Sequence, residues 1–133
     1  MNLHAIRLNP GDDLRIRIAE FVKSENITAG VIVSSVGSLK KAKFRLAGAL
    51  PDHQPVLEQE GEFEIVSLNG TVGSGGMHLH ISLSDRQGNV FGGHLKDGCI
   101  LKTTAELVIL SDPTQRFERR PDPATGFDEL SVE

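Results

Sequence analysis

The segment Met77–Ser84, MHLHISLS, alternates apolar and polar residues without interruption. Successive side chains of a β-strand point to opposite faces of a sheet, whereas a helical pattern repeats every three or four residues. The alternation therefore predicts a strand, and it constrains the fold strongly because it fixes which face meets the core. The predicted core face carries Met77, Leu79, Ile81 and Leu83, and the opposite face carries His78, His80, Ser82 and Ser84.

The residues after this strand predict a tight hairpin. Asp85–Asn89 has the composition of a turn, and Gly88 suits the left-handed position of a three-residue loop, Arg86–Gly88. The returning strand, Val90–Leu95, then places Ser84 opposite Val90, Ile81 opposite Gly93 and His80 opposite His94. A slip by one residue would move His94 to the apolar face, so the pattern excludes it.

This register brings His78, His80 and His94 together on one face. Directly opposed Cβ atoms lie about 5 Å apart and diagonal ones about 7 Å, so three ring nitrogens can converge on one ion at about 2.1 Å. We therefore predict a site for zinc or another divalent transition metal. The alternative is three polar histidines on a half-exposed sheet face, without a metal.

A site with three neutral nitrogen ligands leaves a fourth position open, as catalytic zinc sites do. That position would take water or a small oxygen-rich ligand, and a nearby carboxylate would transfer protons. Our candidate for this catalytic carboxylate is Glu64, within Phe63–Ile65. Gly92 and Gly93 lack side chains and leave room for a ligand or another backbone to approach.

The rest of the chain predicts more sheet than helix. Asp12 and Asp13 precede one helix, whose apolar face carries Leu14, Ile18, Phe21 and Val22. The β-branched run Val31–Val36 is typical of a strand buried on both faces. The further predicted strands are Leu3–Leu8, Lys41–Leu46, Val56–Glu60, Phe63–Val72 and Cys99–Leu110. These elements predict a mixed α/β (α+β) fold with a largely antiparallel sheet and one main N-terminal helix. We expect a single domain, 1–133, in which residues 112–133 form an extended tail.

Composition excludes several classes. The formal net charge of −4 argues against a surface that clamps nucleic acid throughout, although two local basic patches exist. These patches are Lys40, Lys41, Lys43 and Arg45, and Arg116, Arg119 and Arg120. No apolar run is long enough for a membrane span, and the first residues lack a secretory pattern, so a cytoplasmic location is expected. Cys99 is a lone cysteine within an apolar pattern, which is typical of a buried, unreactive thiol.

Several segments resemble the plants-and-prokaryotes-conserved (PPC) domain, also called the domain of unknown function 296. The matching segments are Pro10–Asp13, Val36–Ser38, Gly61–Gly70, His78–Asp85, Gly92–Leu95 and Asp122–Phe127. The resemblance implies a homotrimer and a prokaryotic member described as a DNA-binding-like protein. In plant relatives the segment matching Gly61, Glu62, Phe63, Glu64, Ile65 and Val66 contacts partner proteins.

Those plant relatives also carry an AT-hook that reads the DNA minor groove. This chain has only Arg119-Arg120-Pro121, without the glycine of the hook. The resemblance further implies a fold similar to that of acetolactate decarboxylase, a zinc enzyme whose metal ligands match His78, His80 and His94. Three hypotheses follow: a trimeric metal-binding protein with a small oxygen-rich ligand, a DNA-binding or regulatory module, and a scaffold that binds a protein partner.

Overall fold

The computed structural model describes all 133 residues and contains one helix and eight strands. In chain order these are β1 (Asn2–Leu8), α1 (Leu14–Ser24), β2 (Ala29–Arg45), β3 (Val56–Gly73), β4 (Gly76–Ser84), β5 (Val90–Leu95), β6 (Ile100–Ser111), β7 (Phe117–Pro121) and β8 (Asp128–Val132). No helix is both long and apolar enough to cross a membrane.

Helix α1 begins where the sequence predicts. The side chain of Asp13 accepts a hydrogen bond from the backbone N–H of Ile16 at 3.1 Å, which satisfies one of the free amides of the first turn. Leu14, Ile18 and Val22 recur on one face and are buried. This face packs on the sheet and supplies one side of the core.

Six strands form one sheet in the order β1-β6-β2-β3-β4-β5, and all of its pairs are antiparallel. The end of β2 also pairs with β5, through Phe44 with Leu95 and Arg45 with His94. β2 therefore contacts three neighbours, and the sheet curls until its β5 edge reaches β2. The predicted α+β class, with an antiparallel sheet and one helix, is confirmed.

Two predicted interruptions do not occur. The sequence predicts separate strands on either side of Gly37-Ser38 and on either side of Gly61. Instead, β2 runs through Gly37-Ser38 and is 17 residues long, and β3 runs through Gly61 and is 18 residues long. Shifts of register at Ile32/Ser34, Gly37/Leu39 and Leu39/Lys41 let β2 bend without ending.

The expectation that Val31–Val36 is buried on both faces is wrong. Val33 and Val36 are 56% and 61% exposed, whereas Ile32 is buried. The α1 side of the sheet faces the core, whereas these two valines point to the other side and stay exposed.

The core lies between the helix and the curled sheet. Phe44, Phe63 and Phe91 pack together with ring centroids 5.4 to 5.7 Å apart. Cys99 is fully buried, and burial raises the pKa of its thiol to about 11. The predicted burial of Cys99 is confirmed, and the raised pKa disfavours the thiolate, which is the reactive form.

The last residues form a hairpin that the sequence analysis did not predict. β7 pairs with β8, with Arg119 opposite Leu130. Phe117 anchors the hairpin, because its N–H donates to the carbonyl of Thr28 at 2.9 Å and its carbonyl accepts from Gly75 at 2.9 Å. The hairpin thus lies against the ends of β3 and β4, beside the predicted histidine cluster.

Candidate metal centre

The β4–β5 hairpin has the predicted register. His80 pairs with His94, Ile81 with Gly93, and Ser84 with Val90. The turn is held by Asp85, whose carboxylate accepts from the N–H groups of Gln87 and Asn89 at 2.9 Å each, and Gly88 adopts a φ of +82°. Turn and pairing together place all three histidines on one face.

The three imidazoles converge. Ring centroids lie 4.9 Å apart for His78 and His80, 5.0 Å for His78 and His94, and 5.7 Å for His80 and His94. One nitrogen from each ring lies within 4.8 Å of the other two, and the Nε2 atoms of His78 and His80 are 3.2 Å apart. Two nitrogens that both bind a tetrahedral ion at about 2.1 Å are separated by about 3.4 Å.

The surroundings favour neutral rings. Burial lowers the pKa of His94 to about 4, and the charges of Arg45, the other two histidines and Lys96 act in the same direction. The pKa of His78 is also lowered, first by burial and then by His80 and Arg119. Metal binding requires the unprotonated ring, so these shifts favour His78 and His94 as ligands near neutral pH.

One ring nitrogen of the cluster lacks a hydrogen-bond partner within the chain. Nδ1 of His94 is buried and makes no hydrogen bond. Buried polar groups are nearly always bonded, and an unmet one costs free energy. The donor set, its spacing and this unpartnered nitrogen fit a divalent transition metal, for which imidazole is a common ligand.

Gly92 and Gly93, beside His94, leave room for neighbouring strands to approach. The sequence predicts room for either a ligand or another backbone at these glycines, and the structure shows backbone. A Cβ atom on Gly92 would lie 2.0 Å from the carbonyl oxygen of Ile81, and one on Gly93 would lie 2.3 Å from that of Arg45. Only glycine allows strands β4, β5 and β2 to come this close. These positions therefore fix the strand carrying His94.

Glu64 does not lie at the histidines. Glu64 pairs with Ser84, which lies four residues along β4 from His80. Because a strand rises about 3.3 Å per residue, Glu64 and His80 are separated by about 13 Å. Glu64 instead lines a separate polar cleft with Ser38 and Lys102. The sequence predicts that Glu64 lies in a strand, but it does not predict how that strand, β3, aligns with β4. The proton-transferring role proposed for Glu64 therefore has no geometric support.

Residues that sequence reasoning missed surround the cluster. Arg119 and Glu129, from the β7–β8 hairpin, line one cavity of about 330 Å³ with His78 and His80. Arg45 lines an adjoining cavity of about 310 Å³ with His94. Arg45 and Arg119 were noted only as members of basic patches, and no short-range pattern reveals that the C-terminal hairpin packs against the hairpin bearing His94.

The remaining residues of the basic patches are largely paired with acids. Lys41 and Lys43 share Glu58 at 2.7 and 4.0 Å, Arg116 pairs with Glu118 at 2.8 Å, and Arg120 pairs with Glu133.

The segment Gly61–Val66 lies in β3 and faces two ways. Phe63 and Ile65 are buried in the core, whereas Glu62, Glu64 and Val66 are exposed. Glu62 forms ion pairs with Lys102 and Arg86. Only the outward-facing half of the segment is open to a protein partner.

Solved structures share the fold over almost the whole chain. A hypothetical protein from Salmonella is 37% identical with a TM-score of 0.93, and the match covers 99% of this chain and 93% of that one. A metal-containing protein from Archaeoglobus fulgidus is 27% identical with a TM-score of 0.85, covering 98% and 94%. The fold also resembles α-acetolactate decarboxylase from Bacillus subtilis, at 18% identity and a TM-score of 0.51 over 82% of this chain and 52% of that one.

Sequence comparison extends the likeness to a larger protein. The bifunctional protein GlmU from Synechococcus is 40% identical over all 133 residues, and this chain spans about a fifth of the length of that relative. Residues 1–112 match the model of the Plants and Prokaryotes Conserved (PCC) domain. The chain therefore belongs to the Plants and Prokaryotes Conserved domain family.

Proposed function

We propose that the protein binds a divalent transition metal through His78, His80 and His94 and presents it to a small oxygen-rich ligand. The observation that carries this proposal is the convergence of three ring nitrogens within 4.8 Å on one sheet face. Zinc is the ion we expect, because three imidazoles with one open position form a common catalytic zinc site.

Two further observations support the proposal. The lowered pKa values of His78 and His94 keep their rings unprotonated, so binding need not displace protons at neutral pH. The Archaeoglobus relative is described as metal-containing, and its likeness covers 98% of this chain.

A bound zinc ion would supply Lewis acidity toward an oxygen of the ligand. The chain contributes the surroundings. Glu129 is near enough to His78 to raise its pKa against the larger effects of burial, and Oε1 of Glu129 accepts from Thr125 at 3.0 Å. We propose Glu129, in place of Glu64, as the carboxylate that accepts or donates a proton at this site.

Metal content tests the proposal directly. We expect about one zinc ion per chain, by mass-spectrometric metal analysis, in protein purified without a histidine tag or chelator. His94→Ala should abolish most of this zinc and lower the melting temperature. The matched control is His53→Ala, which removes an exposed histidine from the loop between β2 and β3. Substoichiometric zinc after reconstitution, with His94→Ala unchanged in stability, would show the proposal to be wrong.

DNA binding is a second candidate, and one observation favours it: Lys40 and Arg45 of the first basic patch form no ion pair with a carboxylate. Lys41 and Lys43, by contrast, share Glu58. Binding that neutralises phosphates weakens steeply as salt rises. A duplex-DNA mobility shift at low salt, lost as salt rises and lost in Lys40→Gln, would support this candidate, and no shift at low salt would contradict it.

A further inference from the structure

Two guanidinium groups stand beside the histidine cluster from different parts of the chain. Arg45, at the end of β2, pairs directly with His94 in the sheet. Arg119 of β7 lines the cavities that contain His78 and His80.

Neither guanidinium forms an ion pair, although Asp128 and Glu129 line the same cavity. Arg119 donates to the hydroxyl of Thr71 at 2.6 Å, and Arg45 donates to the amide oxygen of Gln54 at 3.4 Å. A guanidinium has five N–H donors, so both groups keep most of their donors free. The neighbouring Arg116 and Arg120, in contrast, are each paired with a glutamate.

Both side chains are held in place by neutral contacts. Arg45 lies over the ring of Phe127, 5.1 Å from its centroid, and Thr71 fixes Arg119 from the strand opposite His78. Side chains already ordered lose less conformational entropy when they bind a ligand. The two cavities, of about 310 and 330 Å³, are large enough for a small molecule.

The charges indicate which kind of molecule fits. The cavity that contains His94 is lined by Arg45, Arg119, Asp128 and Glu129, whose formal charges sum to zero. A divalent ion at the histidines would therefore give this cavity a net charge of about +2. Planar guanidinium groups match the oxygens of carboxylates and phosphates, often with two parallel hydrogen bonds. A neutral sugar or alcohol would leave this charge and these donors unmatched.

We infer that the site takes a small oxyanion, a compound with a carboxylate or phosphate group, which Arg45 and Arg119 bind beside the metal. The inference rests on the proposed metal site and names the ligand class for it. The arginines bind and orient the anion, and the open position of the metal receives a further oxygen of the same molecule. Arg119 makes the C-terminal hairpin part of the binding site.

Glycolate, a small hydroxy acid, and inorganic phosphate are suitable probes for isothermal titration calorimetry on the zinc-loaded protein. We expect Arg119→Gln and Arg45→Gln to weaken binding of at least one probe by about tenfold or more, because each removes charged hydrogen bonds. The matched control is Arg120→Gln, which removes the same charge from the next residue of β7, where the side chain pairs with Glu133. It should bind like the wild type. Zinc content and melting temperature are measured on every sample.

The outcomes separate this inference from the proposed metal site. If both arginine variants retain zinc and bind the probes as tightly as the wild type, the oxyanion inference is wrong and the metal site stands. If the wild type holds no zinc, the metal proposal fails, and phosphate titration of the zinc-free protein decides the inference. Binding that depends on Arg45 and Arg119 would support it, and absence of binding would overturn it.

Discussion

Among single residues, His94 is both a predicted metal ligand and a contact between two strands. Its ring is partly buried, one of its nitrogens has no hydrogen-bond partner, and its backbone joins β5 to β2. Burial and the nearby positive charges of Arg45 and Lys96 oppose protonation of the ring. His94 is therefore costly to keep in a chain without a metal, which is consistent with a ligand role.

The pH dependence of stability follows from this cost. Burial first, and then positive charge, lowers the pKa of His94 to about 4, whereas an unfolded chain titrates near 6.5. Between these values the unfolded state binds more protons, so in zinc-free protein the free energy of unfolding decreases as pH falls from about 6.5 toward 4. One proton contributes at most about 1.4 kcal/mol per pH unit. The shift at His78 acts in the same direction.

Urea unfolding of zinc-free protein at pH 7 and pH 5 measures this dependence. The loss of stability between these values should be smaller in His94→Gln than in the wild type, because the variant lacks one titrating ring. Equal losses in the two proteins would show that His94 is not held neutral by the fold.

At the scale of elements, the position of β5 depends on glycine. β5 lies between β4 and the end of β2, and Gly92 and Gly93 each face a carbonyl oxygen where a Cβ atom would stand. The short strand places His94 at the meeting point of three strands. Metal binding thus depends on how closely the backbones approach as well as on the ligand residues.

Substitution of Gly93 tests this dependence. A Cβ atom there would lie 2.3 Å from the carbonyl oxygen of Arg45, so Gly93→Ala must move β5 away from β2. We expect a loss of about 1–3 kcal/mol in the free energy of unfolding, together with weaker zinc binding because His94 moves with the strand. Urea unfolding and zinc titration measure the two effects.

The control for this change is Val90→Ala, at the exposed start of the same strand. It should alter the free energy of unfolding by no more than about 0.5 kcal/mol and leave zinc affinity unchanged. Wild-type zinc affinity and stability in Gly93→Ala would contradict the role assigned to the close strand contact.

For the whole molecule, the main feature is a group of apolar side chains exposed on the outer side of the sheet. Val33 and Val36 on β2 and Val66 on β3 are each more than half exposed, at 56%, 61% and 54%. Val36 and Val66 each lie two residues from the Ser38–Glu64 pair, so they are neighbours across β2 and β3. Exposed apolar patches are characteristic of association surfaces. We propose that further copies of the chain cover this side, in the homotrimer that the family resemblance implies.

Light scattering after size-exclusion chromatography measures the assembly. We expect a mass three times that of the 14.4 kDa chain, and a shift toward the monomer in Val36→Lys. Ile16→Lys is the control, because Ile16 is also exposed, at 42%, but lies on α1, away from this side of the sheet. A monomeric wild type, or an unchanged mass in Val36→Lys, would contradict an interface on this side.

Local sequence patterns were enough to predict the β4–β5 hairpin, its register and the shared face of His78, His80 and His94. These features depend on the two-residue period of a strand and the conformation of a short turn, which are local properties. The helix start at Asp13 was determined in the same local way. The tertiary structure was needed to place Glu64 about 13 Å from His80, because that distance depends on how β3 aligns with β4. It also decided that Arg45, Arg119 and Glu129 meet at the histidines. Arg45 and Glu129 are separated by more than half the chain. Such contacts form only when a distant hairpin packs against the sheet, which no local pattern encodes.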